Sequence, residues 1–239
     1  MSALAVAYDV ETLEQALELD HRLGPGPELA KIGLQLFTAA GPAAVRALRE
    51  RGRRVFLDLK LHDIPNTVRG AAAAAGALEA DLLTVHAAGG EAMLRAAVEG
   101  AASAGKGTGV VAVTLLTSLD PKAMPPGFRE PFDLEATVAA LLEMAERAGA
   151  LGIVCSAADL EGLRRQRQGR PFFAVTPGIR PAGGDAHDQK RVATIGEAVR
   201  QGASVLVLGR AVTAAPDPRA ALEAARAERD AAVRVLQGQ

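Results

Sequence analysis

With 239 residues, 49% of them hydrophobic and 23% charged, the chain has material for a sizeable core and is too apolar for a disordered segment. A formal net charge of −1, with both signs dispersed, speaks against nucleic acid or a membrane surface as partner, because each calls for a basic face. A single cysteine, Cys155, excludes a disulfide framework within the chain and a Cys-rich zinc site, and makes a reducing cytoplasm the simplest compartment.

The N-terminus reads Met1-Ser2-Ala3-Leu4-Ala5-Val6 and soon reaches Asp9 and Glu11, which does not fit a signal peptide. No run of about 18 apolar residues suggests a membrane span. Apolar runs at 3–9, 29–34, 53–60, 81–86, 109–115, 151–154, 171–176 and 203–208 predict strands. Between them, Ala-, Leu-, Glu- and Arg-rich stretches predict helices at 11–23, 41–51, 65–79, 90–104, 133–148, 157–168, 189–201 and 217–236. Gly52, Gly149 and Gly202 stand where helix C-terminal caps belong, and Pro216 and Pro218 flank the start of the last helix.

Strand–helix alternation also permits an open doubly wound sheet. Eight units, with no linker or composition shift dividing them, favour closure: one domain, 1–239, folded as a (β/α)8 TIM barrel. The long connections 116–132 and 177–188 follow strands. They therefore fall on the C-terminal rim, where barrel enzymes keep their chemistry and where long loops often act as lids.

The most informative stretch runs from Arg53 to Thr67. Side chains alternate along a strand, so Val55, Leu57, Leu59 and Leu61 share one face, and Phe56, Asp58, Lys60 and His62 share the other. In a βα unit both faces are covered, so the apolar face meets the helices and the charged face points into the barrel. Inward charges are costly unless paired. Asp58 and Lys60 are spaced to lie side by side, Asp63 follows, and Lys31 lies on the neighbouring strand, which predicts an alternating Lys-Asp-Lys-Asp array. Carboxylates beside Lys60 stabilise its ammonium form. A charged lysine cannot attack a carbonyl as a Schiff-base nucleophile, but it suits protonation of a carbanion.

The run Asp58-Leu-Lys-Leu-His-Asp-Ile-Pro-Asn-Thr67 closely resembles the signature of the orotidine 5′-phosphate decarboxylase family. The resemblance extends nearly end to end. It takes in Asp9, Lys31 in Lys-Ile-Gly, Leu116-Thr117-Ser118, Thr176-Pro-Gly-Ile-Arg-Pro181, Asp188-Gln189 and Gly209-Arg210. It implies cofactor-independent decarboxylation of orotidine 5′-monophosphate to uridine 5′-monophosphate, the last step of de novo pyrimidine nucleotide synthesis. No metal is implied. Lys60 would donate the proton to C6, Asp58 would lie by the substrate carboxylate, and Lys31 and Asp63 would complete the charge array. The resemblance places Asp9 and Lys31 at the ribose, Thr117 and Ser118 by the pyrimidine, and Arg180, Gln189, Gly209 and Arg210 around the 5′-phosphate. It assigns Asp63, Ile64, Pro65, Asn66 and Thr67 to substrate binding, within a homodimer in which Asp63 and Thr67 reach the partner's site. One departure is Tyr8, where the family commonly has Leu; alternation turns it away from Asp9, so it predicts a packing change only.

The phosphate assignment also has a physical basis. Gly209-Arg210 follows an apolar strand; glycine admits an anion to backbone N–H groups and arginine supplies a forked charge. The rim after the last two strands is the usual phosphate site of this fold. Two other readings compete. Sugar-phosphate enzymes resembling ketogulonate-phosphate decarboxylase or hexulose-phosphate synthase share Asp-x-Lys-x-x-Asp and use magnesium; the run His62–Thr67 and Pro-Gly-Ile-Arg favour the nucleotide enzyme. A silent nucleotide-binding barrel would keep Arg210 without needing four clustered charges. Cys155, in an apolar run, is read as a buried hydrophobe. His62 and His86 are read equally as site-lining or structural, and His21 and His187 as surface residues.

Overall fold

A computed structural model describes residues 2–119, 133–180 and 193–238. Eight parallel strands close into a barrel: β1 (Ala3–Ala7), β2 (Leu29–Gly33), β3 (Val55–Leu61), β4 (Leu82–His86), β5 (Gly109–Val113), β6 (Gly152–Val154), β7 (Phe173–Arg180) and β9 (Val205–Leu208). The order β6-β5-β4-β3-β2-β1-β9-β7 is completed by a β6–β7 pairing, and the two-residue β8 (Ala193–Thr194) adds to the end of β7. The fold is therefore the predicted (β/α)8 barrel, and the open sheet is excluded by that last pairing.

Helices α1 (Leu13–Leu23), α3 (Pro42–Glu50), α4 (Pro65–Ala77), α5 (Gly90–Ser103), α6 (Leu134–Arg147), α7 (Ala157–Gln166), α8 (Ile195–Arg200) and α10 (Pro218–Leu236) follow the predicted segments. The predicted 189–201 helix is described only from Ile195, because 181–192 lie outside the described residues. Helices α2 (Leu34–Ala40) and α9 (Arg210–Thr213) were not foreseen. Strand β7 continues through Arg180, so the connection predicted from 177 begins four residues later. Gly52, Gly149 and Gly202 all have positive φ after their helices, as a left-handed cap requires. Asp217 caps α10 through the Ala220 N–H, with Pro218 in its first turn.

Period-2 alternation divides the apolar residues into two layers. Leu4, Val6, Ala30, Ile32, Val55, Leu57, Leu83 and Leu206 face the helices in one large cluster. Ala5, Ala7, Leu29, Phe56, Leu82, Val111, Val113, Val154, Val175, Val205 and Val207 fill the barrel interior. One step further along three neighbouring strands the same inward face turns polar: Leu29 gives way to Lys31, Phe56 to Asp58, and Leu82 to Thr84. The lower barrel is thus a packed plug and its upper mouth a charged floor.

Tyr8 is fully buried in the outer layer, as its alternation predicts, and its hydroxyl donates to Asp20 Oδ1 at 2.8 Å. Asp20, itself 2% exposed, also accepts from Arg53 Nε at 2.7 Å and pairs with Arg51 at 3.4 Å. Burial, then the charge of Asp20, pushes the Tyr8 hydroxyl far above its ordinary range, so it stays a donor. Removing one member of such a buried network leaves the others uncompensated. Asp20→Ala is expected to destabilise the fold by roughly 3 kcal/mol, read as a lower urea midpoint at unchanged m-value; a shift under about 1 kcal/mol would deny the cluster this role.

Candidate active site

At the C-terminal mouth of the barrel lies a cavity of about 500 Å³. A larger hollow, about 760 Å³, opens at the opposite end beside Leu29, Phe173 and Val205, but its charged lining is one ion pair, Arg54 with Asp81 at 2.8 Å. The chemistry gathers at the mouth.

Asp9, Lys31, Asp58 and Lys60 line the 500 Å³ cavity together. Lys31 Nζ stands 2.9 Å from Asp9 Oδ1 and 3.6 Å from Asp58 Oδ2. Lys60 Nζ bonds the same Asp58 oxygen at 2.8 Å. The result is a row, Asp9–Lys31–Asp58–Lys60, in which no charge lacks an opposite neighbour. Burial works against ionising Asp58. The ammonium groups of Lys31 and Lys60, with hydrogen bonds from Lys60 and Thr84, outweigh that penalty and hold its carboxyl below the ordinary carboxylate range.

Within one chain the row ends on Asp9, where the residue pattern predicts Asp63 and the resemblance assigns Asp63 to a partner's site. Asp63 does not line the cavity; it is exposed, and its Oδ1 accepts from the Ile64 N–H at 2.6 Å. Ile64, Pro65, Asn66 and Thr67 are likewise exposed and off this cavity. The strand geometry explains why. Pairing of β3 with β4 runs Leu57↔Leu83 and then Leu61↔Val85, so four steps along β3 match two along β4. This bulge places Lys60 at φ +49°, left-handed for a residue with a side chain, at a cost of about 1–2 kcal/mol. Simple alternation beyond Lys60 therefore fails. His62 is exposed and does not line the cavity; its ring lies 5.3 Å from that of His86. Burial, then the nearby His62 and Lys60, pushes His86 below the ordinary imidazole range.

Gly33 shows what the Lys-Ile-Gly motif requires. A Cβ there would come within 2.7 Å of Asp9 Oδ1 and 3.0 Å of Lys31 Nζ. Gly33→Ala is expected to force this pair apart and to lower ligand affinity at the mouth while the thermal midpoint changes little. Unchanged affinity for uridine monophosphate by calorimetry would contradict this.

Across the cavity stand Leu116, Thr117, Ser118, Arg180, Gly209 and Arg210. Arg180 is 9% exposed at the end of β7, whereas Arg210 is exposed at the start of α9. Nothing within 4 Å would meet a Cβ on Gly209, so the backbone there opens directly on space. Gln189, with Asp188, lies outside the described residues. Cys155 is fully buried, and burial raises its thiol well above the ordinary range, consistent with packing rather than nucleophilic duty.

The cavity therefore joins an anion-cation row, buried at Lys31 and Asp58, to two arginines at the ends of other strands, an arrangement suited to a ligand with a reacting centre at one end and an anion at the other. Comparison with known proteins agrees. A Moorella thermoacetica protein named orotidine 5′-phosphate decarboxylase is 50% identical over 230 residues, covering 94% of this chain and 91% of that protein. One of the same name from Anaeromyxobacter sp. strain K is 52% identical over 222 residues, covering 92% and 95%. The crystal structure of orotidine 5′-phosphate decarboxylase from Lactobacillus acidophilus superposes with a TM-score of 0.82 at 34% identity, over 96% of this chain and all of that one. Residues 2–225 match the sequence model of the same group, and the chain belongs to the orotidine 5′-phosphate decarboxylase / HUMPS family.

Proposed function

We propose that this chain decarboxylates orotidine 5′-monophosphate to uridine 5′-monophosphate without a cofactor, the last step of de novo pyrimidine nucleotide synthesis. One observation carries the reading: Asp58, Lys60 and Lys31 share a single cavity with Arg180 and Arg210. Close relatives bearing the decarboxylase name, rather than a sugar-phosphate name, support the nucleotide substrate.

The chemistry follows from the charges. The C6–carboxylate bond breaks, CO2 departs, and the electron pair stays on C6. Lys60 Nζ delivers a proton to that carbon and is recharged from water. Asp58 fixes Lys60 by their 2.8 Å contact and stands beside the leaving carboxylate. Asp9 and Lys31 hold the ribose, Thr117 and Ser118 the pyrimidine, and Arg180, Gly209 and Arg210 the phosphate, a role that the sequence resemblance extends to Gln189. Preorganised charge does the electrostatic work, and phosphate and ribose binding hold the reacting carbon in place.

The active unit is a homodimer in the cytoplasm, with Asp63 and Thr67 serving the site of a second copy. The exposure of 63–67, away from their own cavity, supports this, as does the exposed apolar side chain of Ile64. Among the described residues no helix is long and apolar enough to cross a membrane. The decisive assay follows the ultraviolet absorbance of orotidine 5′-phosphate with purified chain, with and without chelator. Turnover in both supports the reading; loss with chelator would point to the magnesium-dependent sugar-phosphate branch of the family.

A further inference from the structure

We infer that Thr84 is a positioning residue that ties the strained backbone of Lys60 to the carboxylate of Asp58, and so sets where the lysine ammonium stands. The inference rests on the function proposed above and adds a residue to it.

Register places Thr84 there. Lys31 pairs with Phe56 and Gly33 with Asp58, and Phe56 pairs with Leu82. Thr84, two residues above Leu82, lies on the inward face at the level of Asp58 on the adjacent strand. It is fully buried, directly opposite the β3 bulge.

Its hydroxyl makes two bonds whose directions are fixed by chemistry. The Lys60 backbone N–H can only donate, and it reaches Thr84 Oγ1 at 2.9 Å. Asp58, held ionised, can only accept, so the single hydroxyl proton of Thr84 goes to Asp58 Oδ1, also at 2.9 Å. The other carboxylate oxygen, Oδ2, takes Lys60 Nζ. A closed loop results: Lys60 N–H to Thr84, Thr84 to Asp58, and Asp58 to the tip of Lys60. Where β3 and β4 fall out of register, the Lys60 N–H thus bonds a side chain, that of Thr84. Left-handed backbone at a lysine persists only when its surroundings over-determine it, and this loop is that constraint.

The test uses the full-length protein with Thr84→Val, which keeps shape but has no hydroxyl, and Thr84→Ser, which keeps the hydroxyl. The Val variant is expected to lose kcat by on the order of 10–100-fold, as for a misplacement near 1 Å. Its affinity for uridine monophosphate should stay within about threefold of wild type, and Ser should restore kcat to within about threefold. If Val does not fold, Thr84→Ala, which leaves room for a water, takes its place. Val retaining kcat within about threefold, or Ser as impaired as Val, overturns the inference. Crystal structures of wild type and variant decide independently of activity. Lys60 leaving its left-handed conformation, or its Nζ leaving Asp58, supports the tie; an undisturbed Lys60 in the Val variant overturns it. Failure of the wild type to consume orotidine 5′-phosphate would refute the proposed function instead, and these structures would still settle the role of Thr84.

Discussion

Lys60→Ala should abolish turnover of orotidine 5′-phosphate while leaving folding and binding of uridine monophosphate mostly intact. The Lys60 ammonium is the donor nearest Asp58 among the described residues, at 2.8 Å against 3.6 Å for Lys31, and the proposed reaction leaves an electron pair on carbon that it is placed to quench. Loss of a general acid is typically worth about 10²–10⁴-fold, so residual kcat above about 1% would argue against Lys60 as the proton source. The substitution has a second consequence. It leaves the left-handed strain at position 60 in place, because alanine also carries a Cβ. It removes one of the two ammonium groups that hold Asp58 ionised beside Lys31. The variant should therefore remain folded, with a carboxyl at Asp58 that protonates more readily than in wild type.

Arg210→Ala is expected to lower kcat/KM with the whole nucleotide by roughly 30- to 4,000-fold, corresponding to the 2–5 kcal/mol typical of a truncated charge partner. With orotidine, which lacks the phosphate, the loss should be less than about threefold, because that substrate offers no phosphate for the arginine to bind. Equal losses on both substrates would mean that Arg210 supports the fold of the mouth rather than the phosphate. The contrast separates binding energy from chemistry. Arg210 lies across the cavity from Lys60 and acts on the reacting carbon only through the ligand between them.

Much of this architecture is legible in the chain before it folds. Apolar runs with period 2 and intervening helical stretches specify eight βα units, and the glycines and prolines at their ends mark the caps. The inward direction of Asp58 and Lys60 follows from the apolar residues alternating with them, since a strand covered on both sides must send one set to the helices. The grouping of Arg180 and Arg210 with these charges follows from their place after the last strands of a barrel, whose C-terminal ends converge on one mouth.

Other features depend on pairing across strands, which no local pattern contains. The bulge at Lys60 arises because β3 and β4 fall out of register above Leu57, and it ends the alternation that would have brought His62 inward. Asp9, not Asp63, completes the charge row within the chain, because β1 lies beside β2 and carries its carboxylate to Lys31, 22 residues away. Thr84 looks unremarkable as one residue of Leu-Leu-Thr-Val-His; only its level beside Asp58 makes it the link between that carboxylate and the Lys60 backbone. Sequence by itself therefore determined the eight βα units and which way their side chains face where alternation is unbroken, because these depend on near neighbours. Which charges meet was decided by strand register and barrel closure, because those distances are set by residues far apart along the chain.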